Sequence, residues 1–225
     1  MKIFFLGTGA ADWVLKEEQE GEFRRYSSAL IDDNLLIDPG PQVLEAMVEY
    51  SKSCEDIKYI INTHRHKDHY DEDTLTAIKA KGAEFIDFKA GEVRKLGDYT
   101  VSAYAANHGT STEAVHFIIE KDGKKIFYGL DSAWLLYEEV KAIKEKHIDF
   151  AVLDGTIGNQ EGDYRIFEHN NLRMVREMKL TLDLFVDRFA ISHMAYTLHE
   201  PHEVLAKEMA QYNIEVAFDG LETEI

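Results

Sequence analysis

The sequence predicts an α/β fold, and three observations carry that prediction. Apolar runs bounded by turn residues alternate with amphipathic helical stretches, most plainly in the second half. The two halves repeat one plan, a set of strands with covering helices. Hydrophobic residues make up 45% of 225 residues with only three prolines, enough for one buried core without extended linkers. The chain is therefore read as a single domain over residues 1–225.

The elements follow in order. Ser28-Ala29-Leu30-Ile31 and Leu35-Leu36-Ile37 flank Asp32-Asp33-Asn34, a tight hairpin turn. Residues 42–50 read as a helix with Pro41 at its first turn. Tyr59-Ile60-Ile61-Asn62 reads as a buried strand, and the run from Asp71 to Ile78 as a helix with an acidic first turn. Short strands are expected at 84–87, 92–96 and 100–105. A hairpin follows at 115–119 and 125–128, closed by Lys121-Asp122-Gly123-Lys124. Then come a helix at 135–144, a strand at 150–153, a helix at 171–178, a strand at 188–192, a helix at 203–210 and a strand at 214–218.

Between the strand at 59 and the helix at 71 lies Thr63-His64-Arg65-His66-Lys67-Asp68-His69. Neutral imidazole is the commonest protein ligand for zinc, and a carboxylate adds an oxygen that also suits manganese or iron. A strand-to-helix loop lets such closely spaced side chains converge on one point, which a straight strand does not. Three distant residues of the right type, His108, Asp131 and His193, end apolar runs where the chain turns. Strand ends are where α/β proteins gather functional groups.

His64-x-His66-x-Asp68-His69 followed by His108, Asp131 and His193 resembles the metallo-β-lactamase-fold metallohydrolases. Phe5-Leu6-Gly7-Thr8-Gly9-Ala10 resembles the opening strand and turn of that fold, and Leu36-Ile37-Asp38-Pro39-Gly40 its strand ending in an aspartate behind the metal loop. Within the family the chain is most similar to the PhnP-type phosphodiesterases. Val216-Ala217-Phe218-Asp219-Gly220-Leu221-Glu222 and Glu168-His169-Asn170-Asn171-Leu172 carry that likeness. The chain departs from them in having no cysteine across residues 10–28, where they can carry a structural zinc cluster.

The resemblance implies a four-layer αββα sandwich with the site at the shared edge of two sheets. It implies two divalent ions per chain, with zinc, manganese and iron all admitted by nitrogen and oxygen ligands. His64, His66 and His108 would hold one ion, Asp68, His69 and His193 the other, with Asp131 bridging. Two ions about 3.5–4 Å apart share a water, bring its pKa near neutrality and clamp the attacking and leaving oxygens. The implied function is hydrolysis of small phosphodiesters, including cyclic ones, by that water. His169 and Asp68 are the candidate catalytic residues, His169 as proton donor to the leaving oxygen. Asp38 is a candidate for orienting a ligand histidine through its second nitrogen. His199 and His202 are read as polar residues where a helix begins, His116 and His147 as structural. A lactonase or other carbonyl-ester hydrolase of the same fold is the alternative. A ribonuclease Z-like endonuclease and a non-catalytic metal sensor are weaker ones.

Composition restricts partners. The formal net charge is −17, and two dications offset only four of those charges. Such a surface repels polyanions, so duplex nucleic acid and anionic membranes are not expected, whereas a small anionic substrate is. A homodimer is compatible with the composition. The single cysteine, Cys54, and an N-terminal apolar run too short for a signal peptide fit a cytoplasmic protein.

Overall fold

A computed structural model describes residues 1–13 and 21–225. The acidic run at 17–20 lies outside the described residues. The first sheet contains β1 (Lys2–Gly7), β2 (Ser28–Ile31), β3 (Leu35–Ile37), β4 (Tyr59–Ile61), β5 (Glu84–Ile86) and β13 (Glu222–Glu224), in the order β13-β1-β2-β3-β4-β5. The second contains β6 (Val93–Leu96), β7 (Tyr99–Ala105), β8 (Val115–Lys121), β9 (Lys124–Gly129), β10 (Ile148–Asp154), β11 (Val186–Ser192) and β12 (Ile214–Val216), in the order β12-β11-β10-β9-β8-β7-β6. Helices α1 (Val43–Glu49) and α2 (Glu72–Lys79) belong to the first half, and α3 (Tyr137–Lys146), α4 (Leu172–Leu182) and α5 (His202–Ala210) to the second.

The period-2 alternation of the strands builds the layers. Ile3, Phe5, Ile31, Leu35 and Ile37 point to one core, where they meet Phe117, Ile119, Ile126, Tyr128, Phe150 and Val152 from the other sheet. Their neighbours Phe4, Leu6, Leu30 and Leu36 point the other way, onto Val43 and Met47 of α1 and Leu75 and Ile78 of α2. On the second sheet Ile118, Phe127, Ala151 and Leu153 face Ile143, Val175, Leu205 and Met209 of α3, α4 and α5. Both faces of both sheets are thus buried, giving the expected αββα sandwich. Each fully buried Leu, Ile or Phe contributes about 1.5–3 kcal/mol.

Local signals explain most boundaries. Asp32 and Asp33 both take positive φ (49° and 60°), so the β2–β3 turn has the primed twist that suits a hairpin. Asp71 caps α2 by accepting from the Thr74 amide at 2.8 Å. The helix expected from residue 135 begins instead at Tyr137. Glu139 reaches back to accept from the Leu136 amide at 2.7 Å, and residues 132–136 form a loop against the site. Two elements escaped the sequence reading. β13 has only Thr223 buried, so no apolar run marks it, and Tyr164–Phe167 forms one short 3-10 turn. Among the described residues no helix is long and apolar enough to cross a membrane.

Parallel pairing decides where the site lies. β3 pairs in parallel with β4, β10 with both β9 and β11, and β11 with β12. The carboxyl ends of these strands therefore lie along one edge of the sandwich, where α/β sheets place ligands. The bridges from Gly9 to Tyr26 and to Met194 bring the loop after β1 to the same edge.

Candidate metal centre

Three strand ends turn sharply at this edge. Asp38 follows β3, Asp131 lies two residues past β9 and His193 follows β11, with φ of 60°, 54° and 62°. Non-glycine residues in that region carry local strain and cluster at functional sites. His64, His66, Asp68 and His69 come from the loop after β4, and His108 from the loop three residues past β7. All seven proposed ligands converge, and their ligand atoms fall into overlapping groups: His64, His66 and His108; His64, His69 and Asp131; Asp68, His69 and His193.

The contacts within those groups are ones a cation reconciles. His66 Nδ1 lies 3.2 Å from His108 Nε2, and His69 Nε2 lies 3.2 Å from His193 Nε2. In three of these four rings, those of His69, His108 and His193, the other nitrogen is already engaged. His69 Nδ1 donates to Asp38 Oδ2 at 2.8 Å, and His108 Nδ1 donates to the Glu168 carbonyl at 3.3 Å. Carboxylate and carbonyl oxygens only accept, so those tautomers follow from the acceptors. His193 Nδ1 reaches the Thr156 hydroxyl at 2.7 Å and His64 Nδ1 the Thr63 hydroxyl at 3.0 Å. Those hydroxyls in turn donate to Asp154 and Asp38, at 2.9 Å each. Four imidazoles therefore aim their second ring nitrogens inward, two of them at each other, while a second layer of oxygens fixes the rings. His64 Nε2 is buried without any hydrogen-bond partner, and Asp131 Oδ2 is buried with the His69 and His193 nitrogens close by but in no well-formed hydrogen bond. Orphaned polar atoms of that kind cost about 1–3 kcal/mol each unless something binds them.

Asp131 stands between the groups. Its Oδ1 is 4.0 Å from His108 Nε2, and its Oδ2 is 2.8 Å from His69 Nε2 and 3.2 Å from His193 Nε2. Asp68 Oδ2 is 3.3 Å from His69 Nε2 and 3.5 Å from His193 Nε2. Burial disfavours ionisation of Asp68 and Asp131, but the surrounding imidazoles outweigh it and hold both carboxylates low. Burial and the crowd of imidazoles lower His64 to about 2, which leaves its Nε2 lone pair free. At His69 burial also opposes charge, yet Asp131, Asp68 and Asp38 prevail and favour a positive charge there. A dication satisfies that same field. The donor set thus fits two N/O-coordinated ions.

His169 lies beside the cluster in the loop before α4. Its Nδ1 is 2.9 Å from Asp154 Oδ2 and 3.9 Å from Asp131 Oδ1, and its ring stacks on His193 at 5.5 Å. Its nitrogen also falls in a ligand-type group with Asp131, Asp154 and His193. Burial pushes His169 down, but Asp154 outweighs it and the imidazole rises to about 9. A cavity of about 240 Å³ opens over the cluster, lined by His66, Asp68, His108, Asp131, His169 and His193 together with Asp12, Thr156 and Arg165. Asp12 holds the rim by accepting from the Tyr196 and Thr197 amides at 2.8 and 3.1 Å.

The sequence reading missed Asp154, Thr156, Thr63 and Arg165. Asp154 ends the apolar strand β10 before a glycine, the same signal that marked Asp131 and His193. Arg165, on the 3-10 turn, is paired with Asp163 at 2.6 Å and reaches the cavity. The remaining histidines sit elsewhere. His202 opens α5 and meets Arg24 at 3.0 Å, His199 donates to the Gly155 carbonyl at 2.7 Å, and His147 pairs with Asp187 at 2.9 Å.

Comparison with known proteins agrees with this layout. The profile of the anti-Pycsar protein Apyc1 family matches residues 1–81. A UPF0173 protein of Pyrococcus abyssi is 32% identical over 114 residues, covering 43% of this chain and 51% of the relative. The chain thus spans about half the length of the curated relative it matches. Among solved structures, YhfI of Bacillus subtilis, described as a metallo-β-lactamase fold protein, aligns over 100% of this chain and 99% of its own at TM-score 0.79 and 16% identity. Zinc-bound PqqB of Methylobacterium extorquens aligns over 100% of both chains at 0.77 and 14%. A diphosphatase of the PhnP family covers 100% of this chain and 97% of its own at 0.75 and 18%. At these identities the likeness speaks for architecture, and it does so over the whole chain: the protein has the metallo-β-lactamase fold.

Proposed function

We propose that the protein is a dinuclear metal-dependent hydrolase that cleaves small phosphodiesters. The observation that carries this reading is Asp131, whose two carboxylate oxygens face two different groups of inward-pointing ligands. His64, His66 and His108 would hold one ion and Asp68, His69 and His193 the other. The ions, when bound, supply a water nucleophile at neutral pH and Lewis acidity toward the phosphoryl oxygens.

The chain's own residues supply the rest. Asp38, Thr63, Thr156 and the Glu168 carbonyl hold the ligand imidazoles in one tautomer and orientation, so no reorganisation accompanies the reaction. Asp154 anchors His169 through Nδ1, which leaves Nε2 to carry the proton for the departing oxygen. Arg165 and protonated His169 add positive charge at a cavity in a strongly acidic protein, where an anionic diester needs it. The fold neighbour described as a diphosphatase of the PhnP family supports phosphoryl chemistry over carbonyl chemistry. The acidic surface disfavours long RNA.

The test pairs metal analysis of chelator-free preparations with a panel of linear and cyclic phosphodiesters, a phosphomonoester, a lactone and a thioester. Two equivalents of metal and turnover confined to the diesters are expected. Turnover of the lactone or thioester without diesterase activity refutes the substrate class. One equivalent with full activity refutes the bridged site.

A further inference from the structure

β8 carries one polar side chain into the interior. His116 is fully buried, as is Glu139 in the first turn of α3. His116 Nδ1 lies 2.5 Å from Glu139 Oε1, and His116 Nε2 donates to the Leu130 carbonyl at 2.9 Å. Glu139 Oε2 accepts from the Leu136 amide at 2.7 Å. These contacts run from the start of α3, across β8, to the peptide joining Leu130 to Asp131. They brace both ends of the loop between β9 and α3.

That loop needs bracing. β9 ends at Gly129, so the Leu130 carbonyl lies beyond the named strand. Asp131 and Trp134 both take positive φ, 54° and 36°. A left-handed conformation is sterically disfavoured for an L-residue and persists only when its surroundings hold it. The Leu130 carbonyl belongs to the peptide unit that sets the Asp131 φ, so a donor fixed on that oxygen fixes the direction of the Asp131 side chain.

We infer that the buried His116–Glu139 pair is a positioning device for Asp131, setting the Leu130–Asp131 corner so that the carboxylate spans the two ligand groups. This rests on the two-metal reading above. A buried ion pair is a poor stabiliser in itself, because desolvation offsets its attraction. The path of this one, ending on the carbonyl before the bridging residue, gives it a role that general stability does not. Neither residue lines the cavity, and the hydrogen-bonded route from the pair to Asp131 runs through the Leu130 carbonyl.

The experiment titrates apo-protein with zinc against a chromophoric chelator and records thermal melting of the apo forms. His116→Gln places an amide nitrogen near the position of Nε2 and keeps the donor to Leu130. His116→Asn is too short to reach and leaves that carbonyl bare. His116→Asn is expected to weaken the second zinc equivalent by about 10–100-fold, the usual effect of removing support behind a metal ligand. His116→Gln should recover most of it. Glu139→Ala releases the imidazole without altering β8, so it carries the same expectation if the His116→Asn chain does not fold. Wild-type affinity for both equivalents in His116→Asn, or in Glu139→Ala when it stands in, overturns the inference. So does equal weakening in His116→Asn and His116→Gln, which tracks core damage instead of the Leu130 contact. Failure of the wild type to bind a second equivalent refutes the two-metal reading instead, a separate result.

Discussion

Replacing His169 by alanine removes the proposed proton donor without removing a ligand from either proposed trio. Asp154 fixes its Nδ1 at 2.9 Å, and the pair raises the imidazole to about 9 against the cost of burial. Dications held by the neighbouring ligands would lower that value toward the working pH, where a general acid is most effective. Such an acid contributes about 10²–10⁴-fold, or about 3–5 kcal/mol of barrier. A dialkyl-type diester, whose alkoxide leaves poorly without a proton, should lose that whole factor in His169→Ala. A nitrophenyl diester releases a stable phenolate and should lose little. The two substrates are compared in steady-state kcat/KM, with metal content measured in parallel. The pH profile adds a signed check. The proton is present below the His169 pKa and lost above it, so wild-type turnover of the alkyl substrate falls at alkaline pH. The variant lacks that limb. Equal losses on both substrates refute the proton-donor role and make His169 a phosphoryl contact. Loss of a metal ion from the variant shows that it belongs among the ligands.

Three further outcomes are expected. Asp131→Ala should bind about one equivalent of metal instead of two and lose most activity while keeping its circular dichroism; two equivalents with wild-type rates contradict the bridge. Asp38→Ala removes the acceptor from His69 Nδ1 and from the Thr63 amide, and isothermal metal titration should show affinity lower by about 10–100-fold. Gly40→Ala places a Cβ 2.4 Å from the Asp68 carbonyl oxygen, so the loop carrying Asp68 and His69 must move. Thermal melting and metal titration should both decline; an unchanged metal affinity means that the loop absorbs the methyl group without shifting its ligands.

Much of this protein was readable from its residues. The loop from His64 to His69 is legible because its ligands are local in sequence and the flanking strand and helix carry strong signals of their own. The hairpin at Asp32-Asp33-Asn34, the cap at Asp71 and the apolar strands β8 to β11 follow from period, turn chemistry and capping, all short-range effects. His108, Asp131 and His193 could be picked out because each breaks an apolar run at a turn. Their grouping into trios came from family likeness, since spacing along a chain carries no distance between strands. Only the tertiary structure pairs Asp38 with His69, Thr156 with His193, Asp154 with His169 and Glu139 with His116. Each pair joins residues from different elements, brought together by parallel strand order and by two sheets packed face to face. The left-handed turns at Asp38, Asp131 and His193 are likewise invisible in composition, because ordinary residues hold them only under the constraint of the surrounding fold. The sequence alone thus determined which side chains are available and which local elements carry them. Which of those side chains meet, and in which tautomer, was decided by long-range packing, because hydrogen bonds between strand ends exist only once the sheets are assembled.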